Sequence, residues 1–190
     1  ASLLSVDGWN SLSIHFFAAA SPPLTAAGAH PGALYRTFDN PYIDAYLRRQ
    51  RVRLYPGGMF GRGSVEGDHG DDFEAVRALT DLVRRGGRIG IVSDQDYRRG
   101  VPVRSFGRMT RAQPIAALIA RRVGARIWIA RCVRVGSGSR FRIDFHELRM
   151  PRTSNPADDI RQTLAAMHQQ FEAWIREAPE QWLWAGRKWL

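Results

Sequence analysis

The chain has 190 residues, enough for one ordinary domain with a real core and too few for two comfortable ones. Apolar content of 44% and charged content of 24% exclude wholesale disorder, and a single cysteine excludes an internal disulfide. Lys and Arg, nearly all Arg, number 28 against 18 acids, giving a net charge of +10 and a pI near 11.0. The partner to look for is therefore anionic: nucleic acid, an acidic protein or a phosphorylated lipid surface. The alternative is a solvated, arginine-rich surface with no such partner.

The opening ASLLSVDGW lacks the basic and apolar regions of a signal peptide, and no apolar run approaches the roughly 20 residues that span a bilayer. It begins on an apolar stretch without an initiator methionine, so an N-terminal segment is expected to precede it. LLSV (3 to 6) reads as a buried strand, and SLSIHFFAAA (11 to 20) as the start of a helix stopped by Pro22 and Pro23. GALYR (32 to 36) is a second strand, and DNPYIDAYLRRQR (39 to 51) an Asx-Pro helix start followed by helical spacing of apolar residues. RLYPGGMFGRGSVEGDHGDD (53 to 72) holds six glycines and reads as a loop. In FEAVRALTDLVRRGG (73 to 87), Phe73, Val76, Leu79, Leu82 and Val83 share a helix face that Gly86 and Gly87 end. RIGIVSD (88 to 94) is a buried strand. PIAALIARRVG reads as a helix, ARIWIARCVRV as a strand around an inert buried Cys132, GSGS as a turn, and RFRIDFHELRM as its hairpin partner. An amphipathic helix, 157 to 179, closes at Pro179. Such alternation predicts one α/β domain over residues 1 to 190, a mixed central sheet flanked by helices in three layers.

Three clusters could carry chemistry. SDQDYRRG (93 to 100) leaves a strand end, where open α/β sheets place ligands. There Asp94 orients a donor or a cation, or merely caps a turn, and Arg98 and Arg99 face an arriving anion. In LYRTFDNP (34 to 41), Arg36 ends a strand and Asn40-Pro41 opens a helix, so a guanidinium and a helix N-terminus converge on one anion, unless Arg36 pairs with Asp39 or Asp44. His69 and Glu74 have the spacing of a base and its orienting acid, but they straddle a loop and a helix start, where Glu74 reads better as a first-turn acid. His15, His30, His146 and His168 have no partner at metal or triad spacing. Four of six tryptophans (Trp174, Trp182, Trp184, Trp189) lie in the last seventeen residues among Arg176, Arg187 and Lys188. They suit a membrane interface or nucleic-acid stacking, and at least one of Trp182 and Trp184 should be core.

FEAWIREAPEQWLWAGRKW resembles the C-terminal signature of the bacterial lipid A biosynthesis (late) acyltransferases, the lauroyl and myristoyl transferases of the lysophospholipid acyltransferase superfamily. DQDYRRGVPVRSFGR resembles their central Asp-Gln block, and ALYRTFDNPYIDAYLRRQR their Tyr-Arg-x-x-x-Asn-Pro block, in family order and spacing over essentially the whole chain. The resemblance implies a lysophospholipid acyltransferase-like core at the cytoplasmic face of the bacterial inner membrane, peripheral in this chain. It also implies acyl transfer from acyl carrier protein to a hydroxyl of a Kdo-bearing, phosphorylated lipid A precursor, with no cofactor. Arg36, Asn40, Asp94, Gln95, Arg98 and Arg99 become the expected substrate-binding residues, and nucleic acid is left supported by charge alone. Two departures stand out. Where the family reads approximately His-x-Gly-Asn-Trp-Glu, this chain has VDGWNS (6 to 11), with Val6 for the base and Ser11 for the acid, and Gly186 replaces a usual histidine. His69 and Glu74 are the weak substitute, and an inactive homologue that binds lipid or acyl carrier protein is the rival reading.

Overall fold

The computed structural model describes residues 2–6, 30–62, 70–94, 97, 99–138 and 140–182; of residues 2–6, Arg36 and 70–72 it describes the backbone alone. Among these residues eight strands, β1 (Ser2–Val6), β2 (Pro31–Arg36), β3 (Gly58–Arg62), β4 (Arg88–Val92), β5 (Val101–Ser105), β6 (Arg108–Ala112), β7 (Arg126–Arg134) and β8 (Phe141–Leu148), are interspersed with helices α1 (Pro41–Arg51), α2 (Gly70–Arg84), α3 (Ile115–Val123) and α4 (Pro156–Glu177). Six strands form one mixed sheet in the order β3-β2-β4-β1-β7-β8, parallel throughout except for the β7–β8 pair, which is antiparallel. Strands β5 and β6 make a separate hairpin.

Strict alternation in RIGIV and RIWIA explains where the core sits. Ile89, Ile91, Ile127 and Ile129 are buried with Leu79 and Val83 of α2, Ile115 and Ile119 of α3, and Leu164, Met167 and Phe171 of α4. Each such side chain contributes on the order of 1.5 to 3 kcal/mol by leaving water. The helix expected over 11 to 20 lies outside the described residues.

Local chemistry sets the helix ends. Gly86 at φ 84° supplies the left-handed residue that stops α2, and its amide returns to the Val83 carbonyl at 3.0 Å. Asn155 caps α4 by accepting from the Asp158 amide at 3.2 Å, with Pro156 in the first turn. Asp159, fully buried, then locks α4 to α3: it accepts from Arg121 Nε at 2.7 Å and from the Thr153 hydroxyl at 2.7 Å. Burial alone would raise this carboxyl, but the Thr153 and Arg121 bonds outweigh it and hold it below the usual range.

Three elements differ from the sequence reading. The loop expected over 53 to 72 contains β3, a half-buried strand beside β2, because Gly57 admits a close approach: a Cβ there would sit 2.5 Å from the His30 carbonyl oxygen. Helix α2 starts at Gly70 rather than Phe73, which puts Glu74 in its second turn, not its first. The β5–β6 hairpin was not anticipated, since its turn residues are Phe106 and Gly107 instead of the usual Asn-Gly, both nonetheless at positive φ (49° and 74°). That strained Phe106 is held from outside the hairpin, its amide donating to Glu172 at 2.6 Å and its ring lying 4.9 Å from the Arg176 guanidinium carbon.

The C-terminal tryptophans that are described both lie in the core. Trp174 (8% exposed) and Trp182 (9%) belong to the core, while Trp184 and Trp189 lie outside the described residues. Arg131 stacks over Trp174 at 5.3 Å and pairs with Asp144 at 2.9 Å and Glu177 at 2.5 Å. Beside it Cys132 is half-buried, and burial pushes its thiol up, away from nucleophilic use.

Candidate ligand site

The parallel registers align strand ends along one edge of the sheet. Val6 of β1 pairs with Val92 of β4, Ala33 of β2 with Gly90 of β4, and Arg36 of β2 with Arg62 of β3. Residues after these ends share the place where open α/β sheets bind ligands. Arg36 ends β2, and Asp94 lies two residues past the end of β4, half-buried where the strand gives way to its loop.

Arg62 is the residue that sequence reasoning missed. Its carbonyl accepts both the Thr37 amide (3.0 Å) and the Thr37 hydroxyl (2.8 Å), which fixes the end of β3 to the end of β2. Its guanidinium lies 4.9 Å over the ring of Tyr97, in the loop that leaves β4. Arg62 thus ties three strand ends together. A glycine-rich setting hid it, and only the arginine itself, in FGRG, could have signalled a strand-end cation. Arg99 is exposed in the turn that the Gly100 amide closes on the Tyr97 carbonyl at 2.6 Å. Gln95 and Arg98 lie outside the described residues.

Asn40 proves to be the cap of α1. Its Oδ1 accepts from the Tyr42 amide at 3.0 Å and the Ile43 amide at 3.4 Å, and Pro41 has no amide to offer. Two amides of the helix N-terminus expected to meet an anion beside Arg36 are thereby already engaged by Asn40. Asp44 is taken as well, by the Tyr35 hydroxyl at 3.0 Å and the Phe38 amide at 3.2 Å.

Burial first, and then the bond to Asp44, push the Tyr35 hydroxyl up to about 12; burial does the same for Tyr55. The folded protein keeps protons that the unfolded chain releases above a phenol's ordinary value of about 10. The stability they contribute is complete below pH 10 and falls as pH rises toward 12. Tyr35→Phe is expected to flatten that alkaline decline in a denaturation series, and an unchanged slope would remove Tyr35 as its source.

His69 lies outside the described residues and Glu74 is exposed on α2, so the two are not seen together. Val6 is described by its backbone alone, and Gly8 and Ser11 lie outside, so the groove expected between VDGWNS and Asp94 is outlined only by its strand ends. Among the described residues no group of three or more His, Cys, Asp or Glu side chains could hold a metal ion, and no helix is long and apolar enough to cross a membrane. His168 is buried in the core against Phe171, with ring centroids 5.5 Å apart, whereas His30 and His146 are exposed.

Residues 12–190 match the family described as bacterial lipid A biosynthesis acyltransferase. No curated protein matches the chain. The match begins one residue past Ser11, so VDGWNS precedes it, whereas all three motif blocks fall inside.

Proposed function

The chain belongs to the bacterial lipid A biosynthesis acyltransferase family, and from that premise we propose that it binds an acyl carrier protein thioester and a phosphorylated lipid A precursor, with acyl transfer between them slow in this sequence. The single observation behind the ligand reading is the family match over 12–190, which contains the strand ends where Arg36 and Arg62 lie in register. A net charge of +10 suits both an acidic carrier and a phosphorylated acceptor. The same reading puts the protein on the cytoplasmic face of the inner membrane and gives it a three-layer core.

The reaction needs little from the protein beyond position and one proton transfer. The acceptor oxygen attacks the thioester carbonyl, a C–O bond forms, the C–S bond breaks, and the departing thiolate takes up the proton that the hydroxyl gives up. A positioned base speeds such a step by ~10² to 10⁴-fold. Val6 has no lone pair to accept that proton, and Ser11 does not ionise at neutral pH. Binding without rapid turnover is therefore the state this sequence favours.

The ligand reading makes a mutational prediction. Arg36→Ala is expected to weaken binding of the phosphorylated lipid by about tenfold or more, since a charge-assisted bond to phosphate is lost. Arg161→Ala on α4 should change it less than about twofold, because Arg161 is exposed, already pairs with Asp158, and is screened by salt. Equal losses in a lipid-binding titration would mean that only bulk charge matters.

A further inference from the structure

Helix α1 is turned the wrong way round for a helix that packs on a protein core. Asp44 faces inward, where it holds the Tyr35 hydroxyl and the Phe38 amide. None of the helix's 11 residues is buried. The residues turned outward are Tyr42 (85% exposed), Tyr46 (59%) and Ile43 (49%), preceded by Phe38 and followed by Val52, which are also exposed. Exposed Arg48, Arg49 and Arg53 stand among them. A contiguous aromatic patch of this kind on a soluble surface marks a contact.

We infer that the outward face of α1 lies in the interface of an anionic lipid bilayer, with Tyr42, Ile43 and Tyr46 entering the headgroup boundary and the arginines meeting lipid phosphate. Three features favour lipid over a protein partner. Tyrosine combines an apolar ring with a hydroxyl that stays wet, which suits the interface of a bilayer. Arginine keeps its charge in the headgroup layer while its stem lies along apolar surface. Charge favours anionic lipid as well: the one acid of the helix is engaged inward, and the single exposed acid beside the patch, Asp39, is outnumbered by exposed Arg48, Arg49 and Arg53. Geometry gives the contact a purpose. Helix α1 begins five residues after Arg36, so a membrane-seated α1 holds the strand-end edge at headgroup level, where a lipid hydroxyl is presented without leaving the bilayer.

The inference rests on the lipid-acceptor reading but is measured without catalysis. Vesicles of phosphatidylglycerol and of phosphatidylcholine are sedimented with the protein across a salt series. The native chain should bind the anionic vesicles, weakly bind the neutral ones, and lose affinity as salt rises. Tyr42→Ser with Tyr46→Ser should lower the partition coefficient by about tenfold or more, and Arg49→Ala by about fivefold at low salt. Leu118→Ser, at a comparably exposed apolar residue (43%) on α3, should leave it unchanged. All four positions are exposed, so thermal melts should coincide and binding changes cannot be blamed on unfolding. Equal losses in the Tyr42/Tyr46 and Leu118 variants would overturn the inference. So would a concentration-dependent dimer, abolished by the tyrosine substitutions and accompanied by no vesicle binding, since this face would then join two copies of the chain. Binding of detergent-dispersed, phosphorylated acceptor is titrated alongside. If it persists while vesicle binding fails, the docking surface is wrong and the acyltransferase reading stands; the reverse result separates them the other way.

Discussion

The double substitution Val6→His with Ser11→Glu is expected to raise the rate of acyl transfer by ~10² to 10⁴-fold, the range that a positioned general base supplies. Val6 closes β1 level with Val92 and, on the other side, with Ala130, so position 6 stands at the carboxyl edge where Asp94 and Arg36 also emerge. An imidazole there has the one property the valine lacks, a lone pair near neutral pH, and a carboxylate five residues on can orient it. Transfer is read as the growth of acylated acceptor under single-turnover conditions. Each single substitution should give much less than the pair, because an unoriented histidine and a lone acid are each half of one device. If the double variant binds both ligands as the native chain does and still gains no rate, the groove is deficient in more than its base.

Trp174→Ala is expected to destabilise the fold by about 3 to 5 kcal/mol, the usual cost of truncating a buried tryptophan. Its ring does more than fill space. It lies under the Arg131 guanidinium at 5.3 Å and packs in the same core as Trp182, while its carbonyl accepts from Arg131 Nη1 at 3.4 Å. The side chain also borders a small gap shared with Cys132, Gln181 and Trp182, which its loss would open further. Trp174→Phe should retain part of the stability, since a smaller ring still occupies the site. Denaturant midpoints check this, and a near-native midpoint for Trp174→Ala would move the tryptophan cluster from the core to the surface. Of the indoles near the C-terminus, Trp174 and Trp182 thus serve the core, Trp174 beneath Arg131.

The parts of this fold that could be read in the chain are those whose periodicity is set by burial. Ile89 and Ile91, Ile127 and Ile129, and the Leu79–Val83 face announce a sheet packed against helices, because one buried face imposes one period. Helix α1 was legible from Asn40-Pro41 but not its orientation, since spacing identifies an apolar face without saying whether that face meets protein or lipid. Strand β3 and the β5–β6 hairpin escaped detection for a related reason. Both are half-exposed, and they rest on backbone proximity at Gly57 and on the long-range bond from Phe106 to Glu172, neither of which leaves a local pattern. In the candidate site, the strand-end positions of Arg36 and Asp94 were legible because their strands were, and Arg62 was passed over because its strand was. Asn40, singled out for ligand contact, spends its oxygen on its own helix, a capping role that the Asn-Pro helix start had also signalled.

The mass of a lipid A precursor, followed while the unaltered chain and an acyl carrier protein thioester act on it, is the most direct test of a ligand site whose base position holds Val6. Slow transfer despite saturable binding of both ligands is the predicted result, with less than about one hundredth of the acylation reached by the Val6→His, Ser11→Glu variant in the same time. Rapid addition of one acyl chain by the unaltered protein, abolished by His69→Ala, would contradict it and place the base in the glycine-rich segment before α2.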